Sequence, residues 1–363
     1  MRSNDSEFER DDAMVSTRKL SFAADYLEGA HPRVLQRLLE TNMDHEPGYG
    51  FDSLSESARE RLREACCAPN AEVYFLAGGT QTNACVIDVL LAPYQGVIAA
   101  RTGHIATHEA GAIEHGGHKV LALPHEAGKL SADTIERYCE SWEGDQNHDH
   151  MVMPGAVYLS QPTEYGTLYS LDELTRISET CARHDLALYV DGARLAYALG
   201  CGINDVSLAD LARLCDVFYI GGTKCGALLG EAVVIPRAGR LPHFFTLVKQ
   251  HGALLAKGRV CGAQFDALFS DGLYEELGVS AIRAADQIRS ALVECGYELA
   301  IASPTNQIFP VLDDDTYDRL SQLVEMSFWE RTDDGRTVTR IATSWATTDE
   351  DVSALIDVLR QAG

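Results

Sequence analysis

The sequence predicts an α/β fold with a mostly parallel sheet, followed by a smaller α+β domain. Short apolar runs alternate with helical patterns between residues 72 and 221, as in strands joined by crossover helices. After about residue 260 this alternation stops, and two long helical patterns precede three strand patterns and a terminal helix. We therefore predict a flexible N-terminal arm over 1–18, a large domain over 19–260 and a small domain over 261–363.

The individual helices and strands follow from the spacing of apolar residues. Leucines at helical spacing predict amphipathic helices near 32–42 and 55–67, ahead of the alternating segment. Apolar runs predict strands at 72–78, 96–101, 119–124, 155–160, 186–191 and 216–221, and the run 231–235 predicts an edge strand. Further helices are predicted at 131–142, 170–184, 262–277 and 279–296, further strands at 307–312, 324–329 and 337–343, and a terminal helix from Asp349.

The composition argues against several kinds of partner. Acidic residues outnumber basic ones by 54 to 30, and the resulting net charge of −24 repels nucleic acid and anionic membrane surfaces. No run approaches the roughly 20 consecutive apolar residues of a membrane-spanning helix. The polar, acidic N-terminus is unlike a signal peptide, and the 10 cysteines show no CxxC pair or regular spacing. This pattern predicts reduced thiols in a cytoplasmic protein.

Four segments that carry chemistry lie at strand ends, where ligands bind in sheets of this kind. In the first, Gly78 and Gly79 separate a strand from a helix that begins with Thr80 and Gln81. The glycines let backbone N–H groups approach an anion, and the helix N-terminus attracts it, which predicts a phosphate site. An ordinary glycine turn is the alternative, since neither GxxxxGK[ST] nor GxGxxG is present.

The second and third segments end two apolar strands with a carboxylate and an amine. Burial of Asp191 at its strand end requires a cationic partner, which is either a protonated pyridine nitrogen or Arg194, three residues later. Lys224 follows a strand and two glycines, with apolar residues on both sides. Burial would lower its pKa and prepare the amine to form a Schiff base. A lysine whose amine reaches solvent is the alternative.

The fourth segment, 101–119, contains four histidines and raises the question of a metal. The zinc pattern HExxH fails, because His108 and Glu109 are followed by Ala112 where the second histidine would stand. His115 and His118 flank two glycines, which disfavours a helix that would bring them together. We therefore predict no metal site.

Taken in order, these segments resemble the threonine aldolase and β-eliminating lyase family. The resemblance runs from Phe22 to near the end of the chain and rests on DYLEGAHP, YGFD, AGGTQTN, GHIATHEAGAIE, SQPTEYGTLYSLDEL, YVDGARLAYAL, IGGTKCGALLGEAVV, GALLAKGR and RIATSWATT. DGAR followed by the GGTK lysine is specific in combination. The resemblance implies an enzyme that uses pyridoxal 5′-phosphate (PLP) on the aspartate-aminotransferase-like fold, called fold type I.

The resemblance also implies roles for individual residues. The cofactor would be held by Gly79, Thr80 and Gln81 at its phosphate, His104 on its ring, Asp191 at the ring nitrogen, Arg194 near the phenolic oxygen and Lys224 as the covalent link. Arg340 and Asp25 would bind the substrate. Arg259 would reach the phosphate of a neighbouring subunit, which implies a homodimer or homotetramer.

At two positions the sequence departs from many relatives. Ala24 stands where they have a serine that touches the substrate carboxylate, and Glu164 stands where they have a histidine near the substrate hydroxyl. Glu164 is therefore a candidate for the catalytic base or for a residue that positions water, and His104 is the other candidate base. The alternative is that Glu164 only closes a turn.

The activity implied by the resemblance is the cleavage of L-threonine and related β-hydroxy-α-amino acids to glycine and an aldehyde. Allo-threonine and phenylserine are further candidate substrates. A β-eliminating lyase or another PLP enzyme on the same fold is the alternative, and a non-catalytic PLP-binding protein is a more distant one.

Overall fold

The computed structural model describes residues 19–362, and the predicted N-terminal arm over 1–18 lies outside them. The helices are α1 (Pro32–Glu40), α2 (Ser53–Ala65), α3 (Gly79–Leu90), α4 (His104–Thr107), α5 (Ala112–His115), α6 (Ala132–Glu143), α7 (Leu171–Arg183), α8 (Leu195–Leu199), α9 (Leu208–Leu214), α10 (Phe244–Gln250), α11 (Arg259–Leu268), α12 (Leu273–Glu294), α13 (Asp314–Leu323) and α14 (Asp349–Ala362). The strands are β1 (Leu20–Ser21), β2 (Glu72–Leu76), β3 (Gln95–Ala100), β4 (Lys119–Leu123), β5 (Met153–Ser160), β6 (Ala187–Gly192), β7 (Val217–Gly221), β8 (Glu231–Ile235), β9 (Glu298–Leu299), β10 (Gln307–Ile308), β11 (Pro310–Leu312), β12 (Val324–Glu325), β13 (Ser327–Arg331) and β14 (Thr337–Ala342). No helix within this range is long and apolar enough to span a membrane.

The central sheet has seven strands in the order β2-β8-β7-β6-β5-β3-β4. The five strands from β7 to β4 pair in parallel, as the alternating pattern predicted. Strand β8 is antiparallel to both of its neighbours, β2 and β7. The prediction of an edge strand at 231–235 was therefore wrong. All five residues of β8 are buried, and the apolar run that follows Glu231 suits a strand covered on both faces.

Apolar side chains cover both faces of this sheet. Because successive residues of a strand point to opposite faces, Val190 and Ile220 join one buried cluster, and Tyr189 and Tyr219 join the other. Helix α7 begins at Ser170, where a reciprocal capping box satisfies backbone donors of its first turn. These features hold the parallel strands in a rigid layer, so that their carboxyl ends lie together.

The C-terminal part of the chain forms a second, antiparallel sheet. Strands β10, β14, β11 and β9 lie in that order, and β13 pairs with β14. Helices α12 and α14 pack together beside this sheet and contribute apolar residues to its buried cluster. Strand β1 pairs in parallel with β12, and Phe22 is buried in the same cluster. The beginning of the described chain is therefore attached to this sheet, and the domain boundary near residue 260 stays a prediction.

Candidate active site

A cavity of about 280 Å³ lies at the carboxyl ends of the parallel strands β5, β6 and β7. Its lining includes seven of the predicted site residues, namely Gly79, Thr80, His104, Glu164, Asp191, Arg194 and Lys224. All four predicted segments thus contribute to one cavity. Within residues 19–362, no group of three or more His, Cys, Asp or Glu side chains is arranged to hold a metal ion.

The N-terminus of α3 can be approached closely from this cavity. Helix α3 begins at Gly79, and no side chain caps it at Gly78. A Cβ atom added to Gly78 would meet nothing within 4 Å, whereas one on Gly79 would lie 3.1 Å from the hydroxyl of Tyr219. The uncapped N–H groups and the helix dipole favour an anion here. Gly79 and Thr80 line the cavity, whereas Gln81 does not.

Asp191 is held at the end of β6 by three hydrogen-bond donors. Its Oδ2 accepts from the hydroxyl of Tyr158 at 2.7 Å and from Nδ2 of Asn83 at 3.0 Å. Its Oδ1 accepts from the backbone N–H of Ala193 at 2.9 Å. None of these donors carries a full charge, and Arg194 pairs with a different carboxylate. The alternative that Asp191 is the ion-pair partner of Arg194 was therefore wrong.

Arg194 instead forms a two-point ion pair with Asp25. Nε of Arg194 donates to Oδ2 at 2.5 Å, and Nη2 donates to Oδ1 at 3.0 Å, while Asn306 donates to the same Oδ2. Burial opposes ionisation of Asp25, but the charges of Arg194 and Lys224 outweigh it and lower its pKa to about 2. Asp25 is fully buried and does not line the cavity. Its predicted contact with substrate stays a prediction, and the contact that the structure contains is with Arg194.

Lys224 follows β7 in a turn that Glu231 fixes. The carboxyl of Glu231 accepts from the hydroxyl of Thr223 at 2.8 Å and from the N–H of Gly222 at 3.2 Å. Burial, together with the positive charge of Arg194, lowers the pKa of Lys224. Burial also raises the pKa of Glu231 to about 8. An unprotonated amine is therefore more accessible at Lys224 than at an exposed lysine.

Glu164 lies beside His104 in the wall of the cavity. Its Oε1 accepts from the hydroxyl of Ser160 at 2.6 Å and from the backbone N–H of His104 at 2.9 Å. The residue is 8% exposed. Burial raises the pKa of Glu164, and the negative charge of Asp191 acts in the same direction. The carboxyl of Glu164 therefore borders the cavity with a pKa above that of an exposed glutamate, as is common for carboxylates at functional sites.

The two remaining predicted arginines lie outside the cavity lining. Arg340, on β14, donates to Oε1 of Gln307 at 3.2 Å and to the carbonyl of Ala23 at 3.0 Å. Its Nε is buried without a partner among the described residues, and its guanidinium lies 5.6 Å from the ring centre of Trp329. Burial lowers the pKa of Arg340. Arg259 contacts backbone carbonyls near the end of α1.

Comparison with known families gives the chain its classification. The sequence model of the β-eliminating lyase family matches residues 22–313. The chain belongs to the β-eliminating lyase family. This match includes every residue that lines the cavity.

Relatives of this family member include threonine aldolases. A low-specificity L-threonine aldolase of Pseudomonas sp. (strain NCIMB 10558) is 31% identical over 301 residues, which cover 81% of this chain and 85% of that protein. A structure of Leishmania major threonine aldolase has a TM-score of 0.91 and 42% identity, and the match covers 94% of this chain and 99% of that one. Aspartate aminotransferase of Thermus thermophilus has a TM-score of 0.70 at 14% identity over 95% of this chain and 92% of that one. That last likeness shows the fold alone, and it confirms the predicted fold type I.

Three polar side chains lie in or beside the cavity of this β-eliminating lyase family member although the sequence did not predict them as site residues. Glu109 lies 2.7 Å from Nδ1 of His104, and Asn83 donates to both Glu109 and Asp191. Both residues lie in segments that carry the family resemblance, but their place in the sequence does not indicate these contacts. Glu231 opens an otherwise apolar strand, and such an isolated carboxylate was the available indication of a functional environment.

Proposed function

We propose that this protein is a PLP-dependent aldolase that cleaves L-threonine and related β-hydroxy-α-amino acids to glycine and an aldehyde. The observation that carries the proposal is the convergence of Lys224, Asp191 and the uncapped end of α3 on one cavity. The names of the Pseudomonas and Leishmania relatives support this substrate class.

The side chains around the cavity fit PLP. The N-terminus of α3 at Gly79 and Thr80 suits the phosphate, because its N–H groups and helix dipole attract an anion. Asp191, surrounded by uncharged donors, suits a protonated ring nitrogen, and the amine of Lys224 suits the covalent link. When bound, PLP supplies an electron sink for the electron pair of the broken Cα–Cβ bond. His104 supplies a ring that is suited to stacking.

The remaining chemistry depends on proton transfer and on holding the substrate. We assign to Glu164 the removal of the β-hydroxyl proton, directly or through a water, because it borders the cavity and its raised pKa makes it a stronger base than an exposed glutamate. We assign to Arg340 the substrate carboxylate, since its guanidinium has a buried Nε with no partner in the described part of the chain. Arg194, held by Asp25, then keeps a fixed positive charge at the cavity wall.

A product assay tests this proposal. Purified protein saturated with PLP should be incubated in three separate reactions, one each with L-threonine, L-allo-threonine and phenylserine. Glycine should appear with acetaldehyde from the first two substrates and with benzaldehyde from the third. Formation of 2-oxobutyrate from the first two substrates or of phenylpyruvate from the third, with loss of water and release of ammonia, would identify a β-eliminating lyase instead. A protein that binds PLP but releases neither set of products would rule out both enzymes.

Glu164→Gln should keep the fold and the cofactor but lower turnover by about 10²-fold or more. Because burial raises the pKa of Glu164, the base is protonated and lost as pH falls through a value above that of an exposed glutamate. The wild-type rate should therefore show an acidic limb in that range, and the variant should lack it. The measurement is kcat/KM for L-threonine as a function of pH.

Glu126→Gln serves as the control for this experiment, since Glu126 is an exposed glutamate away from the cavity lining. That variant should keep both the rate and the acidic limb. If Glu164→Gln also keeps both, Glu164 is not the base, and His104 becomes the residue to test.

We also propose that the protein forms at least a homodimer. Seven of the fifteen exposed large apolar side chains of the described chain fall within residues 26–51, namely Tyr26, Leu27, Leu35, Leu39, Met43, Tyr49 and Phe51. Such a concentration of exposed apolar residues is typical of a subunit interface. Arg259 donates to the carbonyls of Thr41 and Asp44, so it lies beside this surface. This position supports its predicted contribution to a neighbouring subunit.

Mixing two inactive variants should restore activity if Arg259 completes the partner's site. In a dimer of Lys224→Ala with Arg259→Ala, one site lacks both residues and the other contains both. Random exchange of equal amounts should therefore recover roughly a quarter of wild-type activity. Each variant must first be inactive alone, and mass spectrometry should verify exchange. Confirmed exchange without recovery would contradict a cross-subunit role for Arg259.

We propose a cytoplasmic location for the protein. The cysteines of the described chain are all free, and most of them are buried. Free thiols in this number are typical of a reducing compartment.

A further inference from the structure

A set of short hydrogen bonds joins Glu109 to two residues of the cavity wall. Oε1 of Glu109 lies 2.7 Å from Nδ1 of His104 and accepts from Nδ2 of Asn83 at 2.7 Å. The same nitrogen of Asn83 donates to Oδ2 of Asp191 at 3.0 Å. Glu109 lines the cavity and is 5% exposed, and its Oε2 is buried without a partner among residues 19–362. Glu109 is therefore a buried residue of the cavity wall and not a surface residue.

A further contact fixes the orientation of the Asn83 amide. The hydroxyl of Tyr189 lies 2.7 Å from Oδ1 of Asn83 and donates to it. Nδ2 is therefore the end that faces the carboxylates, and its two N–H bonds serve Glu109 and Asp191. The neutral amide thus gives one hydrogen bond to each carboxylate, and neither carboxylate needs a proton of its own to make these contacts.

The position of Glu109 determines which ring nitrogen of His104 carries the proton. An ionised carboxylate only accepts hydrogen bonds, so Nδ1 of His104 is the donor in their 2.7 Å contact. In a neutral imidazole the other nitrogen, Nε2, is then unprotonated. Nε2 makes no hydrogen bond to any residue between 19 and 362, and the ring borders the cavity.

We propose that Glu109 is a positioning residue, which holds His104 in the Nδ1-protonated tautomer and leaves Nε2 as an acceptor for the ligand in the cavity. This inference rests on the proposed aldolase function. A carboxylate that orients a histidine sets both the direction of the ring and the nitrogen that can accept a proton. Asn83 donates to Asp191 as well as to Glu109. The orientation of Asp191, and through Glu109 that of His104, therefore depends on one amide.

Glu109→Leu in the holoenzyme tests the proposal. Oε1 of Glu109 accepts from both His104 and Asn83, so the oxygen of a glutamine would serve equally well there, whereas leucine has no acceptor for Nδ1 and so permits protonation of His104 at Nε2. Heteronuclear NMR of protein labelled in its histidine nitrogens should show His104 moving toward the Nε2-protonated form. His104→Asn assigns this resonance by its disappearance. In Glu109→Leu, kcat should fall about 10-fold to 100-fold with little change in KM.

Glu114→Leu is the matched control, because Glu114 is an exposed carboxylate in the next helix, α5. It should alter neither the His104 resonance nor kcat. An unchanged His104 spectrum in Glu109→Leu would overturn the proposal, whatever happens to the rate, and so would a changed spectrum with wild-type kcat. If Glu109→Leu does not fold, the wild-type spectrum decides, since protonation of His104 at Nε2 contradicts the proposal. Failure of the wild-type protein to form glycine would instead reject the proposed function and leave the tautomer result unaffected.

Discussion

Lys224→Ala should lower turnover by about 10³-fold or more and remove the covalent attachment of PLP. Lys224 lines the cavity, and burial, together with the charge of Arg194, lowers the pKa of its amine. A larger fraction of this amine is therefore unprotonated at neutral pH than in an exposed lysine, and only that form attacks a carbonyl. Borohydride reduction followed by peptide mass mapping should place the adduct on Lys224 in the wild-type protein and find none in the variant.

Lys119→Ala provides the comparison, because Lys119 is exposed on β4 and does not line the cavity. This variant should retain both the adduct and the rate. An adduct on another lysine of the wild-type protein would contradict the assignment of Lys224. The absence of any adduct in protein saturated with PLP would contradict it equally.

The location of the cavity could be predicted from the sequence, because it depends on features that are local in the chain. Asp191 lies at the end of one apolar strand and Lys224 follows another, and parallel strands present their carboxyl ends at one edge of a sheet. The glycines before α3 likewise indicate a helix N-terminus that an anion can approach. Sequence order and strand direction were therefore enough to bring these residues together.

The pairing of charged side chains could not be predicted, because it depends on residues that are distant in the chain. Arg194 stands three residues after Asp191, yet its partner is Asp25, 169 residues away. The chain changes from strand β6 to helix α8 between Asp191 and Arg194, so their separation in sequence does not fix the distance between their side chains. The position of β8 inside the sheet depends in the same way on its pairing with β2, a strand that is distant from it in the sequence.

The contacts of Glu109 illustrate the same limit at the level of a single hydrogen bond. The sequence gives its distance from His104 along the chain, but not the turn between α4 and α5 that brings the two side chains to 2.7 Å. Asn83 comes from another helix, α3, and its two N–H bonds reach one residue between α4 and α5 and one at the end of β6. Such a network becomes visible only when the backbone positions are known.

Asp191→Asn should leave a folded protein that binds PLP more weakly and turns over about 10²-fold to 10³-fold more slowly. The carboxylate of Asp191 accepts hydrogen bonds at both oxygens and has no cationic partner among residues 19–362. We expect it to keep the ring nitrogen of PLP protonated, and asparagine lacks the charge that this requires. The measurements are kcat for L-threonine and the PLP concentration that half-saturates the apoenzyme.

The same contacts predict a cost in stability, which must be separated from the loss of charge. All three neighbours of Asp191 are donors, so the NH₂ group of asparagine must face either the N–H of Ala193 or both the hydroxyl of Tyr158 and Nδ2 of Asn83. At least one donor then loses its acceptor, at a cost of about 1–3 kcal/mol in the free energy of unfolding. Tyr158→Phe removes one of these hydrogen bonds but keeps the carboxylate. It should therefore show a comparable loss of stability with a much smaller loss of turnover, whereas near-normal turnover in Asp191→Asn would mean that the charge of Asp191 does not act on the cofactor.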